Sequence, residues 1–301
     1  MLSLKKYIKN PRFFFLGIFR KCAKYIHNDR LYLQLRYFLE SGDKLNLKHP
    51  KTFNEKLNWL KLYNRKPEYI KMVDKFAVKD YVADKIGEEY VIPTIGVWNT
   101  PDEINIESLP NKFVLKTTHG GGGSGVLICK DKATFDVSSA ISKLNKAMKS
   151  DIYTSYREWP YKNVSRKIIA EQYLVDESEQ ELKDYKFFCF NGQVKFCKVD
   201  FDRFIEHRAN YYNTSWDLLP FGENVCPPMF DKELYCPPNF NKMINLAQRL
   251  SKDIPFVRID LYNINGRIYF GEITFFPAAG MGIFHPIEWN QRIGEWIKLP
   301  N

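Results

Sequence analysis

Apolar positions recur along the chain with the two spacings that separate helices from strands. Between Thr52 and Leu60 the apolar residues fall on one face, and Thr52 and Glu55 form a capping box, so a helix is predicted to begin there. Amphipathic patterns also predict helices at 74–86, which ends at Gly87, at 138–149 and at 240–252. Short apolar runs predict strands at 113–116, 126–129, 167–173, 185–190, 193–199, 257–262 and 267–274.

This interleaving of helices and strands predicts an α+β or α/β body. The pair Asn191–Gly192 joins two of the strands in a hairpin turn. Residues 201–240 are expected to be irregular, since they are rich in aromatic residues and contain two Pro-Pro pairs. The Cys-Pro-Pro sequences at 226 and 236 are interpreted as loop segments and not as zinc ligands, because no second close Cys or His pair accompanies them.

Positive charge is concentrated near the N-terminus. The formal net charge is +10, and seven Lys and Arg residues between Lys5 and Lys24 meet no acidic residue before Asp29. A nucleic-acid-binding body would instead carry a basic face or stripe, so we expect no nucleic-acid partner. Residues 1–30 mix these bases with aromatic residues. Two alternatives stay open for them: peripheral contact with the inner membrane surface, or a basic helix packed on the body.

The longest apolar run near the start, 13–19, is too short to cross a bilayer, which takes about 20 residues. Arg20, Lys21 and Lys24 follow it where a signal peptide would carry its cleavage site. The six cysteines include no C-x-x-C pair, which fits reduced thiols. We therefore expect a cytoplasmic protein.

Five glycines occupy six positions directly after His119. A dinucleotide-binding fold needs a helix after such a tract, whereas 126–129 predicts a strand. A Walker A loop and a protein kinase are excluded as well, because the tract lacks Gly-Lys-Ser/Thr and the chain lacks the H-R-D and D-F-G motifs. We expect a strand–loop–strand flap whose backbone amides contact phosphate oxygens, in preference to a plain hairpin tip.

The C-terminal hairpin carries charged residues whose relative position depends on its register. A two-residue turn at Asn265–Gly266 would pair Asp260 with Gly271 and turn Glu272 to the opposite face. A three-residue loop would shift the pairing by one residue and bring Glu272 to the same face. We expect the three-residue loop.

In that register Arg258, Asp260, Glu272 and Thr274 share one face of the hairpin. Two carboxylates there offer the hard oxygen ligands that Mg²⁺ prefers. The alternative is a surface hairpin with a solvated polar face. Aromatic neighbours on the same face favour a partly enclosed wall instead, where unpaired carboxylates would be costly.

Several segments, taken in their order, carry a family resemblance. They are Lys-Thr-Phe-Asn-Glu-Lys-Leu (51–57), Asp-Lys-Phe-Ala-Val-Lys (74–79), Phe-Val-Leu-Lys (113–116), Glu-Gln-Tyr-Leu (171–174), Asp-Tyr-Lys-Phe-Phe-Cys-Phe-Asn-Gly (184–192), Val-Arg-Ile-Asp-Leu-Tyr (257–262) and Tyr-Phe-Gly-Glu-Ile-Thr (269–274). Together they resemble the ATP-grasp superfamily and, more closely, its TupA-like branch, which is linked to teichuronopeptide and other cell-surface polysaccharide biosynthesis.

The resemblance implies an α+β, ATP-grasp fold in which two α/β subdomains clasp ATP. We expect four parts along the chain. They are a basic, aromatic helical segment (1–50), a helical N-terminal part of the body (51–110), a subdomain with the glycine flap (111–170) and a C-terminal subdomain with a metal-binding hairpin (171–301).

The resemblance also implies roles for individual residues. Those expected to bind the nucleotide phosphates are Lys79, Lys116, His119, Gly120, Gly121, Gly122 and Gly123. Those expected to receive adenine are Glu171, Gln172, Tyr173 and Leu174. Those expected to hold Mg²⁺ are Asp260, Glu272 and Thr274. Lys186 and Arg258 are expected to be catalytic, and many ATP-grasp enzymes carry Asn in place of Thr274, which puts a second metal ion in doubt.

A stretch after Asp200 is rich in basic and aromatic residues that could bind an acidic sugar by charge-assisted hydrogen bonds and ring stacking. The residues expected to do so are Arg203, His207, Arg208 and Trp216. The alternative is that the aromatic residues of this stretch cap the core.

The resemblance implies that the protein would be an ATP- and Mg²⁺-dependent carboxylate–amine ligase. It would form an acyl phosphate and join an amine donor to a uronic acid of a surface polysaccharide or its precursor. Three other functions stay open: a sugar or glycan kinase, a glycosyltransferase, and a nucleotide-binding regulator without turnover.

Overall fold

Helix boundaries in this protein fall at residues that the sequence marks. The computed structural model describes residues 11–123, 125–175, 182–202 and 206–300. The helices there are α1 (Pro11–Cys22), α2 (Asp29–Ser41), α3 (Phe53–Tyr63), α4 (Glu68–Val73), α5 (Val78–Ile86), α6 (Val137–Met148), α7 (Ile152–Tyr156), α8 (Phe240–Leu250) and α9 (Glu288–Glu295). Thr52 and Glu55 form the predicted capping box of α3, in which each side chain bonds to the other residue's backbone N–H.

Helix α5 begins four residues later than predicted, although Gly87 ends it as predicted. The Asp74 carboxylate accepts hydrogen bonds from the backbone N–H groups of Phe76 (2.8 Å) and Ala77 (3.1 Å). This side-chain bonding holds residues 74–77 in a turn ahead of the helix. Lys75 therefore leaves the helix face on which the pattern placed it.

Antiparallel sheets form the body of the described chain. The strands are β1 (Thr94–Trp98), β2 (Phe113–Thr117), β3 (Val126–Cys129), β4 (Ile168–Gln172), β5 (Asp184–Phe190), β6 (Gln193–Phe201), β7 (Arg208–Tyr212), β8 (Gly222–Glu223), β9 (Phe256–Ile264), β10 (Arg267–Thr274) and β11 (Phe284–His285). One large sheet has the order β1-β4-β2-β3, and the other has the order β10-β9-β5-β6-β7. Strands β8 and β11 pair separately.

The expectation that residues 201–240 are irregular is wrong for part of that segment. Strand β7 lies within it and pairs with β6. Four of its five residues, 209–212, are buried, so the strand lacks the alternation of polar and apolar residues that marks a half-exposed strand.

Each large sheet has its own hydrophobic core. In the first sheet, Phe113 and Leu115 of β2 pack with Leu144 of α6. In the second, aromatic residues of β5 and β6 pack with α8 and with Phe53 of α3. A third cluster joins α1 to α2. Among the described residues, no helix combines the length and the apolar character that crossing a membrane requires.

The β9–β10 hairpin has a register that differs from the expected one. Its turn has two residues, Asn265 and Gly266, because Arg267 pairs with Ile264; the expected three-residue loop is wrong. A bulge between Phe270 and Glu272 then shifts the pairing, so that Glu272 lies opposite Asp260. The two-residue turn alone would put Glu272 on the face opposite Asp260, and the bulge returns it to the same face.

Candidate active site

A cavity of about 770 Å³ is lined by residues of both large sheets. Strands β2, β3 and β4 contribute one wall, and strands β5, β6, β9 and β10 contribute another. The lining residues that sequence reasoning identified are Lys79, Lys116, Gly120, Gly122, Gly123, Glu171, Gln172, Tyr173, Leu174, Lys186, His207, Arg258, Asp260 and Glu272. The fold thus gathers in one cavity side chains that lie far apart in the sequence.

Glu171 organises the cationic end of this cavity. It is buried on β4, and its carboxylate oxygens lie 2.6 Å from the Lys79 ammonium and 2.5 Å from the Lys116 ammonium. Burial alone would raise the pKa of Glu171, but the two ammonium groups hold that pKa below its ordinary value. Burial lowers the pKa of Lys79, and Glu171 opposes that shift. The carboxylate therefore keeps both lysines in place beside the cavity.

Lys75 is a cavity residue to which the sequence analysis gave no role. Its ammonium donates to the backbone carbonyl of Gly120, and its backbone N–H donates to the carbonyl of Thr118 at 3.0 Å. Burial lowers the pKa of Lys75, and the charge of Glu272 opposes that effect. Its position in the segment 74–79, which carries the family resemblance, could have identified Lys75 as a site residue. The helix predicted over 74–86 instead put it on a solvated face.

Apolar side chains complete the cavity wall formed by the first sheet and its neighbours. They are Val91, Ile92, Val114, Val126, Ile128, Leu174, Val175 and Leu182. Gln172 and Tyr173 line the same cavity and supply polar groups. An apolar wall with a few polar groups is typical of small-molecule and cofactor sites.

Arg258 connects the two carboxylates of the β9–β10 hairpin. Its Nε and Nη2 donate to Asp260 at 2.7 and 2.6 Å, and Nη2 also donates to Glu272 at 2.8 Å. The Thr274 hydroxyl donates to the same oxygen of Glu272 at 3.1 Å. Asp260 and Glu272 therefore share one face, as expected, with the guanidinium of Arg258 bonded to both.

The two carboxylates differ in their acidity. Burial raises the pKa of Asp260 to about 7; Glu272 and Asp184 act in the same direction, and Arg258 opposes them. Burial alone would raise the pKa of Glu272, but Lys75 and Arg258 hold that pKa below its ordinary value. The two carboxylates thus lie side by side, and Glu272 loses its proton more readily than Asp260. Their oxygen donors fit a hard divalent cation such as Mg²⁺.

A separate wall of buried charges lies on β5, β6 and β8. The Lys186 ammonium donates to Asp184 at 3.0 Å and to Asp200, and the Lys198 ammonium donates to Glu223 at 3.1 Å. Burial alone would lower the pKa of Lys186, but its carboxylate partners raise it above the ordinary value. Three carboxylates and two ammonium groups of the described residues therefore meet on this wall, called the far wall below.

The sequence motifs gathered in this cavity have a counterpart in a known family. A family model described as TupA-like ATPgrasp matches residues 55–298. The chain belongs to the TupA-like ATPgrasp family. The resemblance inferred from the motifs is confirmed, and so is an α+β, ATP-grasp fold with helices at the N-terminal side.

Solved structures with a similar fold are distant in sequence. D-alanine-D-alanine ligase from Helicobacter pylori is 14% identical with a TM-score of 0.45, and the match covers 81% of this chain and 69% of the ligase. The ADP complex of purK, an N5-carboxyaminoimidazole ribonucleotide synthetase, is 16% identical with a TM-score of 0.45, covering 73% and 50%. D-alanine-D-alanine ligase from Bacillus anthracis complexed with ATP is 14% identical with a TM-score of 0.39, covering 68% and 55%.

This chain thus spans about half to two thirds of the length of these structures. At such identities the likeness concerns the fold, and the family match establishes the membership. No curated protein sequence matches the chain significantly.

Some residues assigned from the ATP-grasp resemblance or from the stretch after Asp200 do not line the cavity of this family member. Those residues are His119, Gly121, Arg208, Trp216 and Thr274. Trp216 stacks on Tyr212 with ring centroids 4.3 Å apart and packs edge-on against Phe240, so it caps the core. Arg208 pairs with Glu206. The assignment of Arg203 falls outside the described residues.

His119 and Thr274, which the resemblance assigned to phosphate and metal binding, have other surroundings in this ATP-grasp protein. His119 is buried beneath the glycine loop, and burial lowers the pKa of its imidazole, which favours the neutral form. Thr274 contributes its hydroxyl to Glu272 instead of facing the cavity. Thr274 is therefore placed to support a neighbour that does line the cavity.

Asp200, His207 and Cys226 bring one potential ligand atom each within 4.8 Å of one another. His207 Nε2 lies 3.2 Å from Asp200 Oδ1, and Cys226 Sγ lies 3.8 Å from the same oxygen. The Asp200 carboxylate is also bonded to Lys186, and Lys198 lies 3.7 Å from it. Ammonium groups thus already pair with that carboxylate, and the cluster adjoins the far wall.

Helix α3 holds a strained loop at the cavity wall. Ala278 and Ala279 have left-handed φ angles of 46° and 55°, a costly conformation for residues other than glycine. The Lys61 ammonium donates to the Ala279 carbonyl at 2.6 Å, and the Asn58 amide donates to the Gly280 carbonyl at 3.0 Å. Ala278 lines the cavity. The helix that begins in the motif 51–57 therefore fixes part of the site.

Proposed function

We propose that this protein is an ATP- and Mg²⁺-dependent ligase that activates a carboxylate as an acyl phosphate and transfers the acyl group to an amine. One observation carries the proposal: a single cavity contains a cationic end beside a glycine loop, an arginine-linked pair of carboxylates and a wall of paired buried charges. These features suit a polyphosphate, a divalent cation and a further substrate, respectively.

ATP would bind with its phosphates against Lys75, Lys79 and Lys116. Gly122 and Gly123, at φ angles of 60° and 77°, leave the loop backbone without side chains, so amide groups can approach phosphate oxygens closely. The adenine would lie against the apolar side chains and the segment 171–174. Glu171 would act as the positioning residue for the lysines.

Asp260 and Glu272 would hold Mg²⁺ through their carboxylate oxygens. Bound there, the ion would neutralise charge on the transferred phosphoryl group. Arg258 lies beside both carboxylates and would stabilise the negative charge that develops during phosphoryl and acyl transfer. Thr274 would orient Glu272 and not serve as a ligand.

The far wall would receive the amine. Its carboxylate oxygens offer hydrogen-bond acceptors for an amine, whereas Arg258 favours a carboxylate. In the reaction a carboxylate oxygen attacks the γ-phosphorus and ADP leaves. The amine nitrogen then attacks the acyl carbon, the bond from that carbon to the phosphate oxygen breaks, and inorganic phosphate leaves. His207, half exposed beside Asp200, is positioned to accept the proton that the amine loses.

Membership in the TupA-like branch supports a cell-surface polysaccharide or its precursor as the carboxylate substrate, with a uronic acid as the reacting sugar. A glycosyltransferase is less well supported. Asp200 and Asp202 have the D-x-D spacing, but their carboxylates are bonded to Lys186 and Lys232, respectively. A kinase could use the same nucleotide site, and only its product would distinguish it.

The test is to incubate the protein with Mg-ATP and D-glucuronate as the probe acid, with hydroxylamine to trap an acyl phosphate. We expect ADP and a hydroxamate, identified by mass spectrometry. A phosphorylated sugar would instead establish a kinase. Calorimetry that detects no Mg²⁺-dependent nucleotide binding would refute the nucleotide site itself.

The matched variants are Glu272→Gln in the proposed metal site and Glu288→Gln on the exposed start of α9. Glu272→Gln removes one charged ligand, so product formation should fall by at least about a hundredfold. Glu288→Gln should leave the rate unchanged. Equal rates for both variants would contradict the metal assignment.

A further inference from the structure

Helices α1 and α2 precede the residues that match the family, and both carry buried as well as exposed apolar side chains. On α1, Leu16, Phe19 and Ala23 just beyond its end are buried against Tyr32 and Leu33 of α2. These contacts explain one apolar face of each helix. They do not explain the other, since a surface helix of a globular protein usually has a single apolar stripe.

The outward face of α1 is aromatic. Phe14, Phe15 and Ile18 are 53%, 57% and 46% exposed. At 100° per residue Phe14 and Ile18 lie roughly 100–160° around the helix from Leu16 and Phe19, and Phe15 lies at the edge of the buried face. Scattered exposed apolar residues are ordinary, but three large ones on one helix face mark an interaction surface.

The outward face of α2 repeats the pattern. Leu31, Leu35 and Phe38 are 48%, 41% and 45% exposed, and their spacing of four and three residues puts them on one stripe. That stripe lies opposite Leu33 and Tyr37, which are buried. The two helices thus each present an apolar stripe away from their packed faces.

The charge around these stripes is strongly basic. Between residues 11 and 41 there are six Lys and Arg residues and two acids, a net charge of +4. Asp29 accepts hydrogen bonds from Arg65 and Tyr153 of the body. Glu40 bonds to Arg36 and Arg20. The remaining exposed bases, which include Lys21, Lys24 and Arg30, therefore face outward without matching acids on these helices.

We propose that α1 and α2 form a docking surface for an anionic phospholipid bilayer. The aromatic and aliphatic side chains of the two stripes would enter the interface between headgroups and acyl chains, and the bases would contact phosphate headgroups. A second copy of the chain is a poorer occupant, because two faces of charge +4 repel each other. The proposal does not depend on the proposed reaction.

The test uses the full chain and vesicles of phosphatidylcholine, either alone or mixed with phosphatidylglycerol. We expect co-sedimentation with the anionic vesicles, little with the neutral ones, and weaker binding as salt is raised. Each Lys or Arg near the surface contributes about 1 kcal/mol, so Lys21→Glu combined with Lys24→Glu should weaken binding at least about tenfold. Equal binding to both kinds of vesicle would overturn the proposal.

Two apolar variants test the stripes separately. One replaces Phe14, Phe15 and Ile18 with Ser, and the other replaces Leu31, Leu35 and Phe38 with Gln; each should reduce binding at least about tenfold. The matched control, Phe230→Ser with Tyr235→Ser, changes exposed aromatic residues of the body and should bind as the wild type does.

Thermal melts check that each variant keeps the fold, which exposed substitutions should allow. Normal vesicle binding by both folded stripe variants would refute the proposal. A second result would also refute it: the wild type dimerises as its concentration rises, the stripe variants do not, and the wild type does not bind vesicles. In that case a second copy of the chain is the occupant.

Discussion

Buried charges at the candidate site are arranged with one central residue between two partners of opposite sign. Glu171 lies between Lys79 and Lys116, and Arg258 is bonded to both Asp260 and Glu272. Removing a central residue leaves two like charges buried together, which costs more than the loss of an exposed ion pair.

Replacing Glu171 with Gln should lower the free energy of unfolding by about 3 kcal/mol at neutral pH. The pKa of Glu171 lies below its ordinary value near 4.5 in the folded protein, so its contribution is present above that value. It is lost as the pH falls through the lower, folded-state pKa. Urea denaturation at a series of pH values should therefore show the wild-type advantage shrinking below about pH 4.5.

The control for that experiment is Glu107→Gln, which alters a carboxylate that is 89% exposed and 3.8 Å from Lys132. Its effect should be within about 0.5 kcal/mol at every pH. A difference between wild type and Glu171→Gln that does not change in acid would contradict the assigned role.

Arg258→Lys keeps the positive charge but loses the planar group that bonds to two carboxylates at once. We expect kcat to fall by about a hundredfold or more, with a smaller change in KM for ATP, because the proposed contact strengthens during transfer. Steady-state ADP release measures both constants. Arg292→Lys on the exposed face of α9 is the control, and an equal kcat for the two variants would contradict the prediction.

At the scale of elements, the β9–β10 hairpin depends on one irregularity. The two-residue turn alone would put Glu272 on the face opposite Asp260, and the bulge at Gly271 returns it. A Cβ at Gly271 would lie 3.0 Å from the backbone oxygen of Asp260 and 3.3 Å from the Tyr262 ring. An added side chain at Gly271 would therefore make these neighbours shift by a few tenths of an ångström.

Gly271→Ala should displace the hairpin strands and weaken Mg²⁺-dependent nucleotide binding at least about tenfold, with a loss of about 1–2 kcal/mol in stability. Calorimetry and urea denaturation measure the two effects. Gly17→Ala in α1 is the matched control, because no atom lies within 4 Å of its added Cβ. It should stabilise the helix by up to about 1 kcal/mol. Unchanged nucleotide binding by Gly271→Ala would show that the bulge is not needed.

At the scale of the whole molecule, the cavity needs both large sheets. The lysines and the glycine loop belong to the first sheet and its neighbours, whereas Arg258 and its carboxylates belong to the second. A ligand that contacts both groups would couple two hydrophobic cores that are otherwise separate.

Mg-ATP should therefore stabilise the protein by about 2.7 kcal/mol when its free concentration is a hundred times Kd, and EDTA should remove most of that gain. Thermal melts measure the shift. Hydrogen exchange should slow both in 113–129 and in 256–274. Protection confined to one of these segments would contradict binding across the two sheets.

Sequence reasoning was accurate where short-range patterns decide the structure. The capping box of α3, the strands on either side of the glycine tract and the Asn191–Gly192 turn depend on neighbouring residues, and all were predicted. The motifs also identified the family. Strand β7 was missed, since the burial of four of its five residues removes the alternation that reveals a strand.

The sequence by itself determined which residue types are available and roughly where many of the helices and strands lie, because caps, turns and apolar spacing act over a few residues. Only the tertiary structure decided that Lys75 contacts the glycine loop, that Cys226 lies beside Asp200, and that Trp216 packs on the core. Such contacts join distant segments. They depend on packing and on single-residue bulges, and no local pattern encodes their outcome.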